Sequence, residues 1–218
     1  MRLQSAIFDM DGTLLDSMPT WRELGPTFLK EAGITATPEQ DRMLHILADC
    51  DVIPYLREVC GLPWSQQEII DKIIQRMETF YSSQVRSKPG LEKFLSILKM
   101  EGVWMYVATA THRRLTEKAL KTAGIDHYFR GIVTSADAGN HKSESADIYE
   151  MAMRRLQSNK RDTVVFEDAL HAIRTAKAAG FRVAGVYEAT AEQDQPEIQR
   201  LCDYYIRSYE ELVQSETF

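Results

Sequence analysis

Short apolar runs punctuate the chain, and most close on a polar or acidic residue. Ala6-Ile7-Phe8 closes on Asp9, Val103 through Ala108 on Thr109, and Gly131-Ile132-Val133 on Thr134 and Ser135. Thr163 through Phe166 closes on Glu167 and Asp168, Arg182 through Val186 follows, and Tyr204-Tyr205-Ile206 comes last. Continuous runs of this length predict strands buried on both faces, as in a parallel sheet. Between them the apolar period changes to that of a helix. Leu91, Phe94, Leu95 and Leu98 form one stripe, with Gly102 placed to end it, and Leu115, Ala119 and Leu120 form another before Gly124. Ile148, Met151, Ala152 and Leu156 make a third; Ala169 to Ala179 is a fourth, stopped by Gly180. Ser208-Tyr209-Glu210-Glu211 has the form of a capping box opening a last short helix. Strand and helix thus alternate from about residue 88, which predicts an α/β fold: a Rossmann-like parallel sheet with crossover helices on both faces.

Residues 17–87 break the alternation and show helical periods only. Trp21, Leu24, Phe28, Leu29 and Ala32 make a stripe ending at Gly33, with Pro26 placed to kink it. Thr37-Pro38-Glu39-Gln40 is a capping box, followed by Met43, Leu44 and Leu47. Ser65-Gln66-Gln67-Glu68 opens the longest helix, whose stripe runs from Ile69 to Phe80 and Tyr81. The expected organisation is a core of residues 1–16 and 88–218 with a helical cap of residues 17–87 inserted after the first strand. Lys88-Pro89-Gly90 reads as the turn of re-entry.

Length and charge agree with this picture. The 218 residues suit one large domain, or one domain carrying an insertion. The formal net charge of −6 gives no electrostatic footprint for nucleic acid. No stretch approaches the roughly 20 apolar residues of a membrane span, and MRLQSAIFDMDG has no apolar signal region. The expectation is a cytoplasmic protein with no membrane partner, and nothing demands more than a monomer. Cys50, Cys60 and Cys202 are odd in number and widely spaced, so they form neither a disulfide framework nor a paired metal motif.

In open parallel sheets ligands bind at the carboxyl edge of the strands. The residues at that edge are Asp9 and Asp11, Thr109, Glu167 and Asp168. Carboxylates gathered from separate strands repel unless a cation is present, and a hard divalent ion with oxygen ligands, Mg²⁺, answers that need. Asp9-Met10-Asp11-Gly12-Thr13 sets two acids two residues apart off a buried strand. One can attack as a nucleophile and the other can move a proton; the same letters also describe a plain polar turn.

AIFDMDGTLLDS resembles the first motif of the haloacid dehalogenase superfamily, in its branch of Mg²⁺-dependent phosphatases. Val107-Ala108-Thr109 looks like the second motif, Lys142 is the candidate for the third, and Val164 through Ala169, running on to Gly180, is similar to the fourth. The resemblance implies that Asp9 attacks phosphorus to form an aspartyl-phosphate, and that Asp11 protonates the leaving oxygen and later activates water. It implies that Asp9, the backbone carbonyl of Asp11 and Asp168 hold Mg²⁺ with Glu167 beside it. Thr109 and Lys142 would bind the phosphoryl group. The third motif departs from the family pattern, since Lys142-Ser143-Glu144-Ser145-Ala146-Asp147 lacks both usual prolines. Trp21 stands where many sugar-phosphate members carry His, and either packs the cap or walls the substrate. Arg42, His45, Asp49 and Asp51 are candidates for specificity in the cap, Arg113 for phosphate, and His112 and His141 flank the motifs without any zinc spacing. The expected activity is hydrolysis of a small phosphate ester. The alternatives are a β-phosphoglucomutase-like mutase and a non-catalytic phosphate-binding protein.

Overall fold

The computed structural model describes residues 3–47 and 49–214, with the backbone alone for His45, Ile46, Asp49 and Cys50. Six strands form one parallel sheet: β1 (Ser5–Phe8), β2 (Trp104–Thr109), β3 (Ile132–Thr134), β4 (Thr163–Glu167), β5 (Arg182–Val186) and β6 (Tyr204–Ile206). Their order across the sheet is β3-β2-β1-β4-β5-β6, so β1 is central and the winding reverses beside it.

Side chains alternate cleanly between the two faces, as a strand period of two requires. Ile7, Tyr106, Ala108, Val133, Val165 and Val183 pack on one side with α8 (Asp147–Arg155), α9 (Leu170–Ala178) and α10 (Gln195–Leu201). Ala6, Phe8, Met105, Val107, Val164, Phe166 and Ala184 pack on the other with α5 (Leu91–Met100), α6 (Arg113–Thr122) and α11 (Tyr209–Gln214). Phe8 and Phe166 stack there with centroids 4.4 Å apart. The short α7 (Ser135–Ala138) follows β3 directly.

Among the described residues four helices lie between β1 and α5: α1 (Met18–Glu31), α2 (Pro38–Ile46), α3 (Asp49–Glu58) and α4 (Gln66–Ser83). The capping boxes at Thr37 and Ser65 are both formed, each with its reciprocal side-chain bond. Pro26 lies inside α1, which continues across it. α3 goes beyond the sequence reading, because Pro54 within it masks the helical period. At α11 the cap differs from the expected box. Ser208 Oγ accepts from Glu210 N, but the Glu211 carboxylate reaches Arg207 N rather than the Ser208 amide. Among the described residues no helix is long and apolar enough to cross a membrane.

Candidate active site

The register brings the strand ends level. Phe8 pairs with Val107 on one side and Phe166 on the other, and Asp9 N continues the ladder to Phe166 O at 3.0 Å. Asp9 therefore leaves β1 between the ends of β2 and β4, where Thr109 and Glu167-Asp168 lie. The chain then turns tightly: Leu14 N and Leu15 N both donate to Met10 O at 2.9 Å. Gly12 sits in this turn at φ +83°, and a Cβ there would lie 2.2 Å from Asp168 Oδ2. Only glycine lets the first turn close against the fourth strand's acid.

Asp9, Glu167 and Asp168 are all buried and offer oxygen atoms within 4.8 Å of one another. Lys142 is buried with them, 6% exposed. Its Nζ donates to Asp9 Oδ1 and, at 3.1 Å, to Glu167 Oε2. Tyr149 OH donates to the same Glu167 oxygen at 3.1 Å, and Thr13 OH to Asp168 Oδ1 at 2.8 Å. One ammonium faces three carboxylates. Burial, and then repulsion from Glu167, raises Asp9 well above the usual carboxylate range despite Lys142. The same two causes push Asp168 up to about 8. Burial alone would lower Lys142, but the charges of Asp9 and Glu167 outweigh it and hold the ammonium well above its ordinary value. An all-oxygen, buried cluster with surplus negative charge is a donor set that could hold a hard cation.

Asp11 has separate surroundings. Its Oδ1 accepts from Ser17 Oγ at 2.6 Å and from Tyr81 OH at 2.5 Å, and its Oδ2 accepts from Thr111 Oγ1 at 2.7 Å. Ser17 is the N-cap residue of α1, yet its hydroxyl makes no cap bond because it serves Asp11 instead. The Asp11 carboxylate is thus engaged outside the cluster of Asp9, Glu167 and Asp168. Thr109 is buried at the end of β2. Its oxygen accepts from Thr111 N at 3.1 Å, which leaves its proton free to donate.

Several sequence candidates are committed elsewhere. Arg113 donates to Ile132 O and Asp137, bracing β3 and α7. Arg42 pairs with Glu39 on the exposed face of α2. Asp51, His112 and His141 are exposed, and the side chains of His45 and Asp49 lie outside the described residues. Trp21 is half-buried and donates its indole N–H to Tyr81 OH. Tyr81, Thr111 and Tyr149 escaped the sequence reading. Tyr81 reads as one more apolar residue on its stripe. The missed signal was chemical: a Tyr buried on an apolar stripe must still satisfy its hydroxyl.

The profile of the haloacid dehalogenase-like hydrolases matches residues 6–186. A phosphorylated carbohydrates phosphatase of Thermotoga maritima is 26% identical over 185 residues, covering 84% of this chain and 85% of that protein. Hexitol phosphatase B of Escherichia coli is 24% identical over 217 residues, with 97% and 95% covered. Among solved structures, the fold is shared with CbbY of Rhodobacter sphaeroides crystallised with xylulose-(1,5)bisphosphate, at a TM-score of 0.80, 23% identity and 96% coverage of both chains. The profile match begins in β1, just before the Asp9–Asp11 turn, and runs through β5, spanning all the strand ends that carry the site. The chain belongs to the haloacid dehalogenase-like hydrolases.

Proposed function

We propose that the protein is a Mg²⁺-dependent phosphatase that hydrolyses a small phosphorylated carbohydrate through an aspartyl-phosphate on Asp9. The observation that carries this is the pairing of buried Asp9 with Lys142 beside two further buried carboxylates. The names of the curated relatives supply the substrate class. Mg²⁺ fits the donor set: its two charges balance the two carboxylates that Lys142 leaves over. Asp9, Asp168 and the Asp11 backbone carbonyl would hold it, with Glu167 alongside. When bound, it supplies charge neutralisation for the phosphoryl oxygens.

In the first step an Asp9 carboxylate oxygen attacks phosphorus. The bond to the leaving oxygen breaks, and that oxygen takes a proton from Asp11. In the second step Asp11, now ionised, takes a proton from water, whose hydroxide attacks phosphorus and returns the Asp9 carboxylate. Lys142 shields Asp9 from the dianionic ester, and the Thr109 hydroxyl donates to a phosphoryl oxygen.

Residues 17–87 act in this reading as a cap on the core. The two linkers between them pair side by side, with Asp16 N donating to Arg86 O and Lys88 N to Leu14 O, each at 2.9 Å. Closure of such a lid excludes bulk water from the phosphoryl transfer.

The test is Asp9→Asn against a panel of sugar phosphates with Mg²⁺, scoring inorganic phosphate and isomerised sugar phosphate separately. Phosphate release by the wild type and a loss of at least about 10³-fold in a folded variant are expected. Near-normal turnover of the variant removes Asp9 as nucleophile. An isomer as the main product, dependent on a bisphosphate activator, replaces the phosphatase reading with a mutase.

A further inference from the structure

Two helices outside the sheet hold the proton-carrying carboxylate. Trp21 in α1 donates its Nε1–H to Tyr81 OH at 3.0 Å, and Tyr81 in α4 donates to Asp11 Oδ1 at 2.5 Å. An indole nitrogen is a donor only. The Trp21 bond therefore occupies the acceptor side of the Tyr81 oxygen and directs the phenolic proton to Asp11. Tyr81 is 0% exposed, so its hydroxyl has no ready exchange with solvent. Ser17 adds a second donor on Oδ1. Oδ2 has a single partner, the hydroxyl of Thr111. That hydroxyl can rotate: it donates to an ionised Oδ2 and accepts from a protonated one.

We propose that Tyr81, fixed as a donor by Trp21, is a positioning residue that confines the Asp11 proton to Oδ2, on the side of the loop carrying Thr109 and Thr111. This rests on the reading of Asp11 as the acid and base of the phosphatase. It assigns a use to Trp21 that core packing does not require. It also makes proton delivery depend on α1 and α4 standing where they do, since the Tyr81 bond spans 70 residues and the Trp21 bond 60.

The experiment compares kcat/KM for p-nitrophenyl phosphate, whose leaving oxygen departs without a proton, and β-glycerol phosphate, whose leaving oxygen needs one. This ratio reports the steps up to leaving-group departure and is blind to later hydrolysis of the aspartyl-phosphate. Asp11→Asn is the reference, and a positioned general acid is worth about 10²–10⁴-fold. Tyr81→Phe keeps the ring and should lose about tenfold or more on β-glycerol phosphate and less than about threefold on p-nitrophenyl phosphate. Trp21→Phe, which leaves the Asp11 contacts in place, should show the same leaving-group dependence to a smaller degree. If Asp11→Asn retains β-glycerol phosphate turnover, the reading of Asp11 fails. If Asp11→Asn shows the dependence while Tyr81→Phe loses equally on both esters, or not at all, the positioning role is overturned. Should Tyr81→Phe not fold, Trp21→Phe decides by the same criterion.

Discussion

Asp168→Asn separates the cost of the acid cluster from its use. Asp168 lies within 4.8 Å of two other buried carboxylates, and its own hydrogen bond comes from neutral Thr13. At an effective dielectric constant near 20, two unit charges at 4.8 Å repel by about 3.5 kcal/mol. Asp168, pushed up to about 8, relieves that repulsion at neutral pH by holding a proton, and keeping a carboxyl protonated about three pH units above its ordinary range costs about 4 kcal/mol. Asparagine has nearly the same shape and still accepts from Thr13. In EDTA the variant should therefore be more stable than the wild type by about 2–4 kcal/mol, a rise in Tm of roughly 5–10 °C for a chain of this size. Mg²⁺ should close that gap. At one hundred times its Kd, a ligand specific for the folded state adds about 2.7 kcal/mol to the wild type, and the variant should gain little. The assay is thermal unfolding by circular dichroism, in EDTA and across a Mg²⁺ titration. A wild-type Tm that ignores Mg²⁺, or a variant that responds to it equally, would refute the assignment of a cation to these carboxylates.

Lys142→Met leaves Asp9 and Glu167 buried without a counter-ion and should cost about 3–5 kcal/mol in urea unfolding at neutral pH. A cost below about 1 kcal/mol would show that the lysine is not the charge partner. Gly12→Ala forces a side chain into φ +83° and into Asp168, so it should remove the Mg²⁺-dependent rise in Tm along with activity. A normal Mg²⁺ response would mean that the turn does not set Asp168. Half-buried Lys88 pairs with buried Glu188 at 2.7 Å where the chain returns from α4. Lys88→Met or Glu188→Leu alone should cost about 3–5 kcal/mol, and the double variant much less than the sum. Additive losses in that cycle would contradict coupling.

How far residues can be read from the chain depends on whether their chemistry is local. All six strands were legible as short apolar runs, the inner four because a strand buried on both faces must be apolar and must end where polar residues begin, and the edge strands β3 and β6 by their β-branched and aromatic residues. The capping boxes at Thr37 and Ser65 were legible for the same reason: donor and acceptor sit three residues apart. Asp9, Asp11, Thr109, Glu167 and Asp168 were picked out because a parallel sheet delivers its strand ends to one edge. α3 was hidden by Pro54, and Lys142, in a loop whose letters Lys-Ser-Glu-Ser-Ala-Asp match any solvated surface, was legible only through the family resemblance.

What the sequence by itself determined was the doubly wound sheet and the list of acids along its carboxyl edge. Tertiary structure alone decided how those acids divide. Asp9, Glu167 and Asp168 share one buried cluster with Lys142, while Asp11, two residues from Asp9, turns to Ser17, Tyr81 and Thr111. The physical reason is distance along the chain. Tyr81 meets Asp11, and Trp21 meets Tyr81, through helices that fold back onto the strand edge, and a hydroxyl on an apolar stripe gives no sign of its partner until the two are packed together.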